Sequence, residues 1–217
     1  MSPDRLIFSL PRTGSQMLCR VLNSIQGIAC IHEAFQTIPQ QRDPAAAIES
    51  FRKERGQSVI AECKYGVRFM QIKQATLDLP LRKIHLVRRD RLAATFSDYD
   101  RFESAPAPRY SPRLKTFQAI YEDRVVWESL MSRCCDYELA YEDLTAGGDV
   151  GPLLSEAFDL DIPTTHISKE GIVHPEGWEH YAINHRALKK ALGFEEAKPD
   201  LSMPSAPPHV VQEEVEL

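Results

Sequence analysis

The stretch RLIFSLPRTGSQMLCRVLNSIQG, Arg5 to Gly27, decides how this chain is read. Leu6, Ile7, Phe8 and Leu10 form a strand-like apolar run that reaches Pro11 and then Arg12-Thr13-Gly14-Ser15-Gln16. Beyond it Met17, Leu18, Val21, Leu22 and Ile25 recur at helical spacing, and Gly27 is expected to end the helix. A loop between a first strand and a helix aims several backbone N–H groups and the positive end of the helix dipole at one point, where anions bind. Gly14 lets the backbone approach closely, Thr13 and Ser15 offer hydroxyls, and Arg12 adds a planar cationic donor. A tight turn with a serine cap is the plainer alternative. A nucleoside-triphosphate loop would need GxxxxGK[ST], and no such spacing occurs.

Outward from this loop, strands and helices alternate. A short strand is expected over Ile28–Ile31, a helix over Pro44–Arg55, a strand over Ser58–Cys63 and a helix over Met70–Leu77. KIHLVRR, Lys83–Arg89, reads as a buried strand before a helix over Leu92–Phe102. The longest helix spans Leu114–Cys134, with Leu114, Phe117, Tyr121, Val125, Leu130 and Met131 on a broad apolar face. YELAYEDL, Tyr137–Leu144, reads as a further strand, followed by helices over Val150–Phe158 and Trp178–Leu192. This order implies an α/β fold, a P-loop-like three-layer sandwich with a mostly parallel central sheet flanked by helices. Ligands then gather at the carboxyl ends of the strands.

With 217 residues, 43% hydrophobic and 26% charged, the chain is an ordinary globule able to bury one good core. One domain over residues 1–195 is expected, with a Pro-rich acidic tail over 196–217 read as disordered. Glu103–Pro112 is a Pro-rich loop and a candidate lid. The tail carries four of the five net negative charges, so the body is nearly neutral. Lys64, Arg68, Lys73, Arg82, Lys83, Arg88, Arg89 and Arg91 make a local basic stretch that suits an anion site. No long basic face with interleaved aromatics suggests nucleic acid. No apolar run reaches the ~20 residues of a membrane span, and Pro11 and Arg12 interrupt any secretory pattern. Five cysteines without metal-type spacing point to a reducing cytoplasm. Cys30 and Cys63 are read as core residues, and Cys134-Cys135 as neither zinc nor redox site.

Three segments together resemble sulfotransferases that use 3'-phosphoadenosine 5'-phosphosulfate (PAPS), in particular the bacterial carbohydrate-sulfotransferase branch that includes trehalose-sulfating enzymes. LPRTGSQMLCRVLN resembles the family's 5'-phosphosulfate loop, which implies donor contacts from Arg12, Thr13, Gly14, Ser15, Gln16 and Met17. HLVRRDRLAATFSDY resembles the segment whose strand-end Arg and helical Ser grip the 3'-phosphate. Ser97 matches the serine, and either Arg88 or Arg89 matches the arginine. In HEAF, Glu33 occupies the position of the family's proposed general base, with His32 as a structural residue or substitute base. AECKYGVRFMQ and LAYEDLTAG are fainter echoes. They imply acceptor-side positions for Lys64, with His32 and Phe35 nearby, and structural roles for Tyr141 and Glu142. Gln16 and Ala34 depart from the family's usual residues.

The resemblance implies transfer of a sulfuryl group from PAPS to a hydroxyl acceptor, carbohydrate or other small molecule. The product is 3'-phosphoadenosine 5'-phosphate, Glu33 and Arg12 serve the chemistry, no metal is required, and a homo-oligomer is possible. A non-catalytic nucleotide- or phosphate-binding protein and a small-molecule phosphotransferase are the alternatives.

Overall fold

A computed structural model describes residues 4–35, 43–55, 58–65, 74–102, 112–167, 177–182 and 184–194. The expected lid loop (apart from Pro112) and the acidic tail lie outside the described residues. Among the described residues there are five strands: β1 Arg5–Ser9, β2 Ile28–Ile31, β3 Ser58–Lys64, β4 Arg82–Val87 and β5 Tyr137–Ala140. They form one sheet in the order β2-β3-β1-β4-β5, and every pair is parallel. After β1 the chain travels outward to β2, and after β3 it crosses to β4 on the other side of β1. The topological switch point therefore lies at the carboxyl end of β1, where a parallel sheet opens a crevice.

Helices α1 Ser15–Asn23, α2 Pro44–Arg55, α3 Gln74–Leu77, α4 Arg91–Phe102, α5 Leu114–Ser132, α6 Tyr141–Thr145, α7 Gly151–Phe158, α8 Trp178–Tyr181 and α9 His185–Ala191 cover the sheet. The period-2 alternation of the strands sorts them into layers. Ile7, Ile60, Ile84, Leu86 and Leu139 face Leu18 and Leu22 of α1 and Leu154 and Phe158 of α7. Leu6, Phe8, Ala61 and Cys63 point the opposite way, toward Ile48 of α2 and Met131 of α5. The result is a three-layer α/β sandwich. Burial of each such Leu, Ile or Phe contributes about 1.5–3 kcal/mol. A third cluster joins Phe96 and Tyr99 of α4 to Phe117 of α5 and to Trp178 and Leu188 of the last helices. There Phe117 stacks on Trp178 at a centroid distance of 6.0 Å.

Several boundaries differ from the sequence pattern, each for a local reason. YELAYEDL splits into β5 and α6 at Ala140. Among the described residues β5 is an edge strand paired only with β4, whose last partner residue is Val87, so no described strand remains for Tyr141 onward to pair with. Glu142 and Asp143 instead occupy the first turn of α6, where the helix dipole favours anions. The expected terminal helix is interrupted at Ala182, which is extended, while Asn184 donates to the Pro112 carbonyl at 3.0 Å. α1 ends four residues before Gly27, which takes φ 85° in the turn into β2. Of the expected Met70–Leu77 helix, Gln74–Leu77 is helical and residues 70–73 lie outside the described set.

The apolar face read for α5 needs a larger correction. Leu114 and Leu130 are exposed, the latter by 46%. The buried stripe is Phe117, Arg124, Glu128 and Met131. Those positions are spaced 7, 4 and 3 apart and share one side of a 3.6-residue helix. Two charged residues thus occupy the inward face of the longest helix.

Candidate active site

The segment after β1 turns sharply enough to put Arg12 at φ 65° and Gly14 at φ 87°. Glycine adopts the latter freely, whereas arginine at positive φ is uncommon and costs on the order of 1–3 kcal/mol. Gly14 is also required by space: a Cβ there would lie 2.5 Å from Cδ2 of Tyr141. The first helical bond of α1 runs from the Leu18 amide to the Gly14 carbonyl at 3.0 Å. The amides of the first turn, from Ser15 to Met17, therefore lie ahead of the helical ladder and face the crevice end of α1. The Thr13 hydroxyl is turned inward, donating to the Leu10 carbonyl at 2.9 Å, so it braces the loop and leaves Ser15 as the hydroxyl at the helix start.

On the β3 side of this loop lies a buried ion pair. β1 and β3 are in register with Ser9 opposite Lys64 and Ile7 opposite Glu62. The α1-facing side of the sheet thus changes from isoleucine to charge at its carboxyl end. Glu62 is 0% exposed and Lys64 9% exposed, with Nζ 2.9 Å from Oε1. The Ser9 hydroxyl donates to the same oxygen, and the Glu33 amide donates to Oε2 at 2.7 Å. Burial by itself pushes the Glu62 carboxyl up, but Lys64 and these hydrogen bonds outweigh it and hold it below its usual range. Lys64 also donates to the Ser9 and Ser15 hydroxyls. His32, at the rim, brings Nε2 to 3.4 Å from Ser15 Oγ and 3.7 Å from Glu62 Oε2.

Glu33 follows immediately at φ 53°, the second non-glycine residue near the strand ends held in the left-handed region. Its neighbour Ala34 donates to the Glu62 carbonyl at 2.9 Å. Glu62 thus grips the segment carrying Glu33 by both its side chain and its backbone. Phe35 packs partly buried against the core next to Ala34.

The β4 side is rich in guanidinium. Arg12 Nε donates to Ser97 Oγ on α4 at 2.9 Å. Arg88, just past β4, sets its guanidinium 5.0 Å from the Tyr141 ring centroid, and its buried Nε has no hydrogen-bond acceptor among the described residues. Tyr141 is thereby wedged between Arg88 and the glycine of the loop. Arg124 reaches up from α5 to donate to the Pro11 carbonyl at 2.8 Å, with Asp98 at 4.0 Å and Glu128 at 3.7 Å. Burial, partly offset by those two carboxylates, lowers its pKa. Among the described residues its Nε and Nη1 have no hydrogen-bond acceptor. Glu128 is held in turn by Arg91 Nε at 2.6 Å.

Arg88 and Arg89 have different surroundings. Arg89 turns away and forms a two-pronged pair with Asp143 at 2.6 and 2.7 Å, which raises its pKa. Its amide and that of Asp90 are taken by the Glu142 carboxylate at 3.0 and 3.1 Å, so α6 ties down the turn after β4. Arg88 is the arginine on the Gly14–Tyr141 side.

The segments singled out in the sequence therefore converge: Arg12, Gly14, Ser15, Ser97, Arg88, Glu33 and His32 all surround the switch point. Gln16 is exposed and Met17 half-buried on the first turn of α1. The Lys64 ammonium is buried beneath Ser15. Glu62, Ser9, Arg124 and Glu128 went unread in the sequence. Each left one signal, a charge or hydroxyl within a run otherwise fit for burial. Cys30 and Cys63 are buried, and Cys134 is exposed. Burial pushes the Cys135 thiol up to about 12.

No protein-family model matches the chain, and no curated protein matches it. Among the described residues, no helix is long and apolar enough to cross a membrane.

Proposed function

We propose that this protein is a sulfotransferase that moves a sulfuryl group from PAPS to the hydroxyl of a carbohydrate or other small molecule. The observation that carries the proposal is the contact of Arg12 with Ser97 across the switch point, with the Arg88 Nε on the same side buried and lacking an acceptor among the described residues. A buried guanidinium nitrogen without an acceptor is costly, and a phosphate oxygen is the partner its fork geometry suits best. Such a phosphate beside Ser97 and Arg88 is the 3'-phosphate, and the 5'-phosphosulfate lies over the amides of α1.

In this reading Glu33 takes the proton from the acceptor hydroxyl as the new S–O bond forms. The bond between sulfur and the oxygen bridging it to the 5'-phosphate breaks, and the bisphosphate leaves with the electron pair. Arg12 and the first amides of α1 stabilise the charge that builds on that oxygen. As in phosphoryl transfer, the protein supplies mainly position and charge.

Thermal-shift measurements with 3'-phosphoadenosine 5'-phosphate, AMP and ATP test the reading. The bisphosphate at ~100 times its dissociation constant adds about 2.7 kcal/mol to stability, and AMP adds much less. Equal shifts from AMP and the bisphosphate would remove the 3'-phosphate assignment. The largest shift from ATP would favour a phosphotransferase.

A further inference from the structure

The ammonium of Lys64 has three protons and no lone pair. All three protons are committed: to Glu62 Oε1 at 2.9 Å, to Ser9 Oγ at 3.1 Å and to Ser15 Oγ. Ser9 accepts from Lys64 and passes its own proton to Glu62. Ser15 also accepts from Lys64, so its hydroxyl proton must be donated elsewhere. Within the described residues the near acceptor is His32 Nε2 at 3.4 Å, long for an O–H donor. The Ser15 proton is thus directed away from Lys64, at the first residue of α1 and beside the amides that lie ahead of its helical ladder. The same Glu62 carboxylate that fixes Lys64 holds the Glu33 amide at 2.7 Å.

We propose that the buried Glu62–Lys64 pair is a positioning unit with two outputs. Through Lys64 it makes the Ser15 hydroxyl a donor to the anion on the loop, and through Glu62 it fixes the Glu33 segment beside that anion. The inference rests on the sulfotransferase reading of the site. Neither residue touches the reacting atoms: Lys64 has no proton left for the ligand, and both oxygens of Glu62 are occupied.

Removing one member would leave the other buried and uncompensated, so the variant of choice replaces both, Glu62→Gln with Lys64→Met. Titration calorimetry with 3'-phosphoadenosine 5'-phosphate compares the wild-type protein, Ser15→Ala, the pair variant and the triple variant. Ser15→Ala is expected to weaken binding roughly ten- to hundredfold, as loss of a hydrogen bond to a charged group does. The pair variant should lose a similar factor, and Ser15→Ala should add nothing to it, because contacting residues that act as one unit are not additive. Losses that multiply in the triple variant, or a pair variant that melts early but binds like wild type, would overturn the first output.

Hydrogen exchange at the Glu33 amide reads the second output without ligand. Acceleration of about tenfold or more in the pair variant is expected once its acceptor is altered, and unchanged exchange would overturn it. Should the pair variant not fold, Lys64→Arg decides, since it keeps the charge but replaces a three-pronged ammonium by a planar fork. It should bind the bisphosphate more weakly, with Ser15→Ala again adding nothing, and wild-type binding would overturn the proposal. A wild-type protein that does not bind the bisphosphate removes the functional reading, and this inference with it, before any variant is compared.

Discussion

Beside β3, a buried carboxylate meets a buried ammonium, and the Glu62 oxygens and all three Lys64 protons have partners within the protein. Beside β4, Arg12, Arg88, Arg91 and Arg124 gather near two carboxylates, Asp98 and Glu128, and Arg88 and Arg124 keep buried nitrogens without hydrogen-bond acceptors among the described residues. Both sides flank the same loop and bury the same kind of group, so depth alone does not explain the contrast. A satisfied pair can hold its neighbours in place before any ligand arrives. Unsatisfied buried donors represent free energy that an incoming anion recovers. The β3 side therefore has the properties of a framework, and the β4 side those of a grip.

The sharpest way to break this division is Glu33→Gln, which keeps size and polarity but cannot take a proton. Turnover is expected to fall by roughly 10²–10⁴-fold while bisphosphate affinity holds or improves. Normal turnover would transfer the base role to His32, and weakened binding with it would make Glu33 a framework residue only. Wild-type binding of the bisphosphate without turnover of any hydroxyl acceptor would point to a binding protein instead.

Arg12→Ala comes next. In the proposed reaction Arg12 serves both phosphate binding and developing charge, so turnover at saturating donor should drop along with affinity, by about 2.7–4 kcal/mol of transition-state stabilisation. Unchanged turnover at saturation would leave Arg12 a grip and nothing more.

A smaller effect separates the adjacent arginines. Arg88→Ala should weaken bisphosphate binding by ~1.5–3 kcal/mol, the range for hydrogen bonds to charged groups. Arg89→Ala, which loses only an exposed pair with Asp143, should leave affinity within about twofold. Equal losses, measured by calorimetry, would mean that the turn after β4 rearranges on binding.

The subtlest test is acid stability. The Glu62 carboxyl is held below 4.5, so the unfolded chain takes up its proton first. Its contribution is complete above pH 4.5 and is lost as pH falls through the folded value. Denaturant melts should give the wild-type acid limb a steeper slope than the Glu62→Gln, Lys64→Met variant, by up to one proton or ~1.4 kcal/mol per pH unit. Burial pushes His85 down to about 4 from 6.5, which adds a separate loss as pH falls through that window. That loss is common to both proteins, so their difference isolates Glu62. Parallel acid limbs would show that Glu62 is protonated in the native state and that the framework is not an ion pair.

The sequence alone determined whatever depends on neighbours along the chain. Pro44–Arg55 forms the helix its pattern predicts, and Ile28–Ile31 the strand. The strand–loop–helix around Gly14, and the strand ends carrying Glu33 and Arg88, were legible because periodicity and turn residues are local properties. Strand order is not local. Sequence periodicity could not say that β1 lies between β3 and β4, and that placement alone carries Lys64 under Ser15 and Arg12 onto Ser97. The same limit hid the inward face of α5. Arg124 and Glu128 look like solvated charges in a list of residues, and only the loop and α4 packed above them show what they hold. YEDL reads as strand until β4 is seen to stop at Val87 and leave Tyr141 without a partner. Buried charge was the least legible feature, because its cost is met by groups far away in sequence: 55 residues separate Ser9 from Lys64, and 113 separate Pro11 from Arg124.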